Sequence, residues 1–305
     1  MSDGARGKGD AVATPGSVAA LVDELAELLA VSDRFVARDT IAEAREIVAA
    51  FYDVPRFWPA ANAHVRVESE MWPRARAAAQ KRARGAPLAY AVGRANFRHL
   101  TLDIDERVLI PRPETELLVD LVLERALGQQ ELVVDVGTGS GAIALALASE
   151  GEFAEVLGTD VSLDALAVAQ ANRRMLAARG ALRAEVSLAH GSLLAPLRAR
   201  RQRAGVVVSN PPYIAFDEAR DLPADVRDWE PPVALFSSGQ GLDISAQLVR
   251  EAADALIDGG LLAVEVDARR ASLVAELVAR DTRYHAVSVH LDLTGRERFV
   301  LATRR

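Results

Sequence analysis

The segment that most restricts the fold is an apolar run that breaks into glycines. Leu132-Val133-Val134-Asp135-Val136 is a buried-strand pattern, Gly137-Thr138-Gly139-Ser140-Gly141 follows directly, and Ala142-Ile143-Ala144-Leu145 opens a helix. Glycines let a backbone turn sharply and approach a ligand closely, beside the free N–H groups at a helix start. Asp160 closes the next expected strand about 20 residues on, where a carboxylate can accept both hydroxyl hydrogens of a ribose. Strand, glycine loop, helix and spaced acid together mark a nucleoside-cofactor site. Alone they leave a nicotinamide dinucleotide and S-adenosylmethionine both open, because the dinucleotide fingerprint tolerates alanine at its third position, here Ala142.

The strand–helix alternation continues beyond this segment. Strands are expected at 131–136, 154–159, 184–189, 205–209, 261–266, 284–290 and 297–303, with helices at about 141–149, 162–178, 243–256 and 269–280. Apolar strands separated by amphipathic helices predict an α/β fold with a mostly parallel seven-stranded sheet covered on both faces. The last two strands leave no room for a helix and predict a C-terminal β-hairpin. Upstream lie a helix from about Glu114 to Leu127 and β-like pieces around Phe97 to Ile104. Near the N-terminus, Ser17 and Asp39 read as N-caps of helices running to Ala30 and from Thr40 to Phe51, and a third helical stretch runs from about Ser69 to Arg84. The expected organisation is a disordered tail over 1–17, a helical domain over 18–85, a β-hairpin linker over 86–110 and the α/β domain over 111–305.

A second motif narrows the chemistry. The strand Val206-Val207-Val208 ends in Ser209-Asn210-Pro211-Pro212-Tyr213. In an open α/β sheet ligands sit outside the carboxyl ends of the strands, so Asn210 to Tyr213 and Gly137 to Gly141 should line one crevice. An amide or aniline-like nitrogen is a poor nucleophile because its lone pair is delocalised. Two acceptors gripping its two N–H bonds orient it and favour a pyramidal geometry. The Asn210 side-chain carbonyl and the Pro211 backbone carbonyl, stiffened by two proline rings, are such a pair, and Tyr213 offers a flat face to a planar group. Such a site works by positioning and electrostatics. Paired with the glycine loop, it favours S-adenosylmethionine, whose sulfonium is a good leaving group.

Composition removes other chemistries. The chain has no cysteine, which excludes a disulfide scaffold, cysteine-ligated metals and a thiolate nucleophile. The histidines are scattered, with no His-x-x-x-His pair, so no metal site is expected. The longest uncharged run, Val136 to Ser149, falls short of the ~18 residues of a membrane span. Asp23, Glu24 and Glu27 interrupt the first apolar stretch, which argues against a signal peptide and for a cytoplasmic protein. A net charge of −7 makes a poor general binder of nucleic-acid phosphates. Residues 1–85 are balanced in charge, so the acidity lies downstream. Arg74, Arg76, Lys81, Arg82 and Arg84 form a local basic stretch, read either as a solvated helix face or as a face for docking a partner.

With these residues in view, the chain resembles the HemK/PrmC family of protein-(glutamine-N5) methyltransferases over roughly 80–305. The resemblance rests on Gly85-x-Pro87-Leu88-Ala89-Tyr90, Gly93 and Phe97, and above all on Val108-Leu109-Ile110-Pro111-Arg112-Pro113-Glu114-Thr115-Glu116. It continues through Asp135 to Gly141, Asp160, Asn210 to Tyr213, Glu230-Pro231, Gly241-Leu242-Asp243 and Asp292-Leu293-x-Gly295-Arg296. It implies a Rossmann-like class I S-adenosylmethionine-dependent methyltransferase that methylates the glutamine of the Gly-Gly-Gln motif in peptide-chain release factors, with the helical domain reading the substrate. By resemblance, Gly137, Thr138, Gly139, Ser140 and Gly141 hold the methionine part of the cofactor and Asp160 its ribose. Asn210, Pro211, Pro212 and Tyr213 hold the glutamine amide, and Phe97 packs near the substrate or in the core. Where the family often places an acid beside adenine, this chain has His190-Gly191-Ser192-Leu193, which leaves backbone amides around Ser192 and Leu193 for that contact. Two other readings share the tetrapeptide: a methyltransferase for a ribosomal-protein glutamine, and one for adenine N6 or cytosine N4 in a nucleic acid. A third is a non-catalytic S-adenosylmethionine-binding module.

Overall fold

A computed structural model of the chain describes residues 16–31, 39–126 and 131–305. The expected tail over 1–17 lies, apart from Gly16 and Ser17, outside the described residues. The chain divides into two compact units, Met1–Val92 and Gly93–Arg305. That division falls a few residues beyond the expected limit at 85, because the short helix Leu88–Val92 packs with the first unit.

The first unit is helical for the reasons its caps suggest. Ser17 accepts a hydrogen bond from the Ala20 N–H at 3.2 Å and starts helix Val18–Ala30. Asp39 accepts from Ile41 and Ala42 and starts helix Thr40–Tyr52. With helix Met71–Ala83 they close a core around Leu21, Leu25, Leu29, Ile47, Val48 and Ala79. The basic stretch is mostly engaged inside this unit. Arg74 lies 5.0 Å over the Phe51 ring, Arg76 pairs with Glu24 at 2.9 Å, and the buried Arg82 donates to both carboxylate oxygens of Glu43, at 2.9 and 3.1 Å, and to the Ala86 carbonyl at 2.9 Å. Arg82 is thus a core tether of the unit rather than a member of a solvated face.

The second unit begins with a two-stranded hairpin, β1 (Arg94–Phe97) and β2 (Leu100–Asp103), followed by helix Pro113–Arg125. The main sheet comprises β3 (Leu132–Val136), β4 (Glu155–Asp160), β5 (Glu185–His190), β6 (Ala204–Ser209), β7 (Leu256–Glu265), β8 (Tyr284–Leu291) and β9 (Glu297–Arg304). Its order is β5-β4-β3-β6-β7-β9-β8, parallel from β5 to β7 and antiparallel at the C-terminal hairpin, as the alternation predicts. Val133, Val134, Val206, Val207 and Val208 are fully buried, as strands covered on both faces must be. Helix Ala142–Glu150 is apolar all round and buried from Ala142 to Ser149.

The chain runs from β3 outward through β4 and β5, then returns to place β6 on the other side of β3. That reversal opens a crevice at the carboxyl ends of the strands. The register makes the crevice specific. Val136 stands opposite Thr159 on one side and Ser209 on the other. Gly137, Asp160 and Asn210 therefore leave three neighbouring strands side by side.

Candidate active site

A cleft of about 500 Å³ lies at this edge, lined among others by Gly137, Gly139, Asp160, Leu193, Asn210 and Pro211. Its size suits a small-molecule site. Gly137 and Gly139 adopt φ +74 and +55, and a Cβ on either would meet nothing within 4 Å, so their backbone faces open cleft. Both carboxylate oxygens of Asp160 are oriented by backbone, Oδ2 accepting from Gly139 N–H at 2.9 Å and Oδ1 from Ser162 N–H at 2.8 Å.

The other loop residues stand behind this surface. Gly137 and Thr138 both donate their N–H groups to the Thr159 carbonyl, at 2.8 and 2.9 Å. The Thr138 hydroxyl donates to Asp135 Oδ2 at 2.6 Å, and the Ala144 N–H donates to the same oxygen at 3.1 Å. Asp135 is fully buried, and burial pushes its pKa up to about 7. Ser140 is buried, with its carbonyl accepting from Asn172 Nδ2 at 3.0 Å. Asn172 also exchanges hydrogen bonds with the backbone of Asp103, at 2.8 and 2.9 Å. A Cβ on Gly141 would press on Leu145, so that glycine serves loop–helix packing at φ +85. Of the five loop residues, Gly137 and Gly139 line the cleft, while the Thr138 hydroxyl, the Ser140 carbonyl and the Gly141 Cα make contacts within the fold. Asn172 was not singled out in the sequence, because a polar residue within an amphipathic helix carries no distinguishing pattern.

The opposite wall begins at Asn210. Its Nδ2 donates to Thr115 Oγ1 at 3.2 Å, and its Oδ1 carries no hydrogen bond among the described residues. The Ser209 hydroxyl donates to the Val136 carbonyl at 2.6 Å and locks the ends of β6 and β3 together. Pro211 and Pro212 line the cleft. Tyr213 does not. Its phenol lies in the field of Glu265, Arg298 and Arg112, and burial pushes its pKa up to about 12, so it stays neutral. The Tyr213 carbonyl instead packs against Gly241, where a Cβ would collide with that oxygen and with the Arg270 guanidinium. Gly241→Ala, at φ +83, is expected to cost about 1–3 kcal/mol by overpacking, read as a lower denaturation midpoint.

The segment between β6 and β7 completes this wall with short turns: a 3-10 turn over Phe216–Asp221 and helices Ala224–Trp229 and Pro232–Leu235. Phe216 stacks on Phe236 at 5.4 Å, and Ile214 pairs with Phe236 as an isolated bridge. Across the cleft, Ser192 and Leu193 line the side next to Asp160, and the Leu193 carbonyl accepts from the Thr159 hydroxyl at 3.0 Å. His190 bonds to the Val161 carbonyl at 3.1 Å, a local fastening of neighbouring strand ends. Phe97 is fully buried on β1 and absent from the cleft lining, which places it in the core, the second of the two positions expected for it.

The Pro111 to Glu116 string gains its meaning here. Pro113 occupies the first turn of its helix, with Glu114 and Glu116 as first-turn acids. Arg112 donates to the buried Glu230 at 2.5 Å, Thr115 meets Asn210, and Glu116 accepts from the Arg98 N–H at 2.8 Å. Thr115 thus braces Asn210 at the cleft, Arg112 ties the string to Glu230 beside the cleft residue Pro231, and Glu116 fastens the turn of the β1–β2 hairpin.

Comparison with known proteins agrees with this geometry. Residues 113–224 match the family model described as the methyltransferase small domain, a span that holds the glycine loop, Asp160 and Asn210. The chain is 42% identical over 245 residues to a release factor glutamine methyltransferase of Moorella thermoacetica, covering 79% of this chain and 84% of that one. It is 42% identical over 227 residues to one of Deinococcus radiodurans, covering 74% and 77%. Among solved structures, the hMettl16 catalytic domain in complex with a 3'UTR hairpin superposes with a TM-score of 0.57 at 17% identity, over 74% of this chain and 80% of that one. That likeness speaks to the fold alone. No helix among the described residues is long and apolar enough to cross a membrane.

Proposed function

Because the chain belongs to the release factor glutamine methyltransferases, we propose that it methylates the side-chain amide nitrogen of the Gly-Gly-Gln glutamine in a peptide-chain release factor. The single observation that carries this reading is the Asn210 amide, tethered through Nδ2 with Oδ1 free at the cleft.

The cleft fits S-adenosylmethionine. Gly137 and Gly139 present open backbone for the amino-acid part, Asp160 presents an oriented carboxylate for the ribose, and Ser192 and Leu193 border the space left for adenine. Bound there, S-adenosylmethionine supplies an electrophilic methyl group on a cationic sulfur that leaves as a neutral thioether. Asn210 Oδ1 and the Pro211 carbonyl accept the two N–H bonds of the glutamine amide and hold its nitrogen in line for transfer. The same two oxygens stabilise positive charge as it develops on that nitrogen. The proton leaves after transfer, when the nitrogen is strongly acidic, so no strong base is required. Pro212 stiffens the loop, and Tyr213 holds it from behind.

Asp160→Ala removes the acceptor for two backbone N–H groups as well as the ribose contact. The affinity for S-adenosylmethionine should fall about 10- to 100-fold, the scale of a charged hydrogen bond, as read by isothermal titration. The substrate assignment is tested by offering labelled S-adenosylmethionine with a release factor, a ribosomal protein and a nucleic acid side by side. Label on the release factor, lost when its Gly-Gly-Gln glutamine is changed to alanine, is the expected result. Label on either of the other two in its place would reassign the substrate.

A further inference from the structure

We propose that Phe216 and Val233 form an apolar lip that seats the two glycines ahead of the target glutamine, which makes Phe216 a specificity-determining residue for the protein substrate. The inference deepens the glutamine-methylation reading above and rests on it.

Both side chains are out of place as core residues. Phe216 is 65% exposed and Val233 56% exposed, and both line the cleft. Large apolar groups left exposed together at a cleft mark a contact surface. The Phe216 ring is nevertheless held. It lies on the Phe236 ring with centroids 5.4 Å apart and planes 19° from parallel. Beside the pair, the Ile214 N–H donates to the Leu235 carbonyl at 3.0 Å and the Ser237 N–H donates to the Ile214 carbonyl at 2.9 Å. The turn that starts at Phe216 is fastened as well. Glu218 Oε2 accepts from the Ala215 N–H at 3.0 Å and from Arg270 Nη2 at 2.9 Å, and Arg270 Nε donates to the Gln240 carbonyl at 2.7 Å. The Arg270 side chain is buried, so this latch is shielded from water. An aromatic ring fixed in place before its partner arrives loses little freedom on binding.

The geometry also says what meets the lip. The places assigned to the cofactor lie at the ends of β3, β4 and β5, whereas Phe216 follows β6 on the opposite wall. A glutamine side chain spans about 5 Å from its Cα to its amide nitrogen. With that nitrogen gripped at Asn210 and Pro211, the substrate backbone beside the glutamine runs at the mouth of the cleft, along the wall that continues through Pro212 to Phe216. Every residue lining this wall from Pro211 to Phe236 has an apolar side chain. Such a wall offers no side-chain partner to a polar group and penalises burying one. It selects by shape. A glycine lays its backbone close against a ring, where a Cβ would hold it off. A Gly-Gly pair meets both conditions.

The test is a double-mutant cycle read as kcat/KM for the intact release factor, with S-adenosylmethionine affinity as the check on folding. The release factor is wild type or has the glycine immediately before the glutamine changed to alanine. With wild-type enzyme the added methyl group should lower kcat/KM at least about tenfold. Phe216→Ala should lower kcat/KM for the wild-type release factor about tenfold, through KM, with cofactor affinity within about threefold of wild type. Against Phe216→Ala the glycine-to-alanine change should cost less than about threefold, because the ring it strikes is gone. Val233→Asp, which puts a charge on the same lip, should raise KM for the release factor about tenfold. Additive losses in the cycle, wild-type kcat/KM in Phe216→Ala, or an equal loss of cofactor affinity would each overturn the lip. Should Phe216→Ala fail to fold, an unchanged KM in Val233→Asp would overturn it. A wild-type enzyme that transfers no methyl group to the glutamine of the wild-type release factor would overturn the parent reading itself, which separates the two failures.

Discussion

Asn210→Ala is expected to lower kcat about 10²- to 10³-fold while changing the affinity for S-adenosylmethionine less than about threefold. The substitution removes the Oδ1 acceptor and leaves the glycine loop and Asp160 untouched, because these are held by Asp135, Thr159 and Ser162 and not by Asn210. The amide nitrogen would still reach the cleft, but with one of its two N–H bonds unheld. The loss therefore belongs to the transition state, where charge develops on nitrogen, and less to binding. Single-turnover rates together with cofactor titration separate the two. Equal losses in rate and cofactor affinity would mean that Asn210 mainly holds the cofactor.

The largest stability effect is expected at Arg82. Its guanidinium gives two hydrogen bonds to Glu43 and one to the Ala86 carbonyl at 7% side-chain exposure. Breaking a buried ion pair from one side typically costs about 3–5 kcal/mol, well above the ~1 kcal/mol of a surface pair. Arg82→Ala should lose stability on that scale. Exposed Arg280, paired with Glu276 in the i,i+4 sense at 73% exposure, should lose under about 0.5 kcal/mol on the same change. Urea unfolding followed by tryptophan fluorescence checks both. Replacing Arg82 and Glu43 together by apolar residues should recover much of the loss, since an ion pair exchanged for packing is often close to neutral. Equal effects at Arg82 and Arg280 would return the basic stretch to the solvated-face reading.

What was legible in the sequence was periodic. Strand runs such as Val206-Val207-Val208 and caps such as Ser17 and Asp39 carry their own local physics, and they lie where the patterns put them. Asp160 and Asn210 were legible as well, because a residue type at a strand end needs only the sheet order to be placed. The segment from 211 to 241 was not. Its short turns are set by tertiary contacts, such as Phe216 on Phe236 and Gly241 against the Tyr213 carbonyl, which leave no repeat in the chain. Side-chain direction was the other gap. Thr138, Tyr213 and Phe97 sit in motifs near the cleft, yet none of the three lines it: the Thr138 hydroxyl bonds to Asp135 and Phe97 is buried in the core. Arg82 is similar: a basic residue in a basic run gives no sign that it alone is buried.

The most direct test of the account is the site of the methyl group. Purified protein, S-adenosylmethionine and a release factor would be incubated, the release factor digested, and the Gly-Gly-Gln peptide fragmented in a mass spectrometer. The account predicts a gain of about 14 Da confined to the glutamine side-chain nitrogen, absent with Asn210→Ala on the same timescale. A gain at another residue, or an unmodified peptide beside active transfer to a different macromolecule, would contradict it.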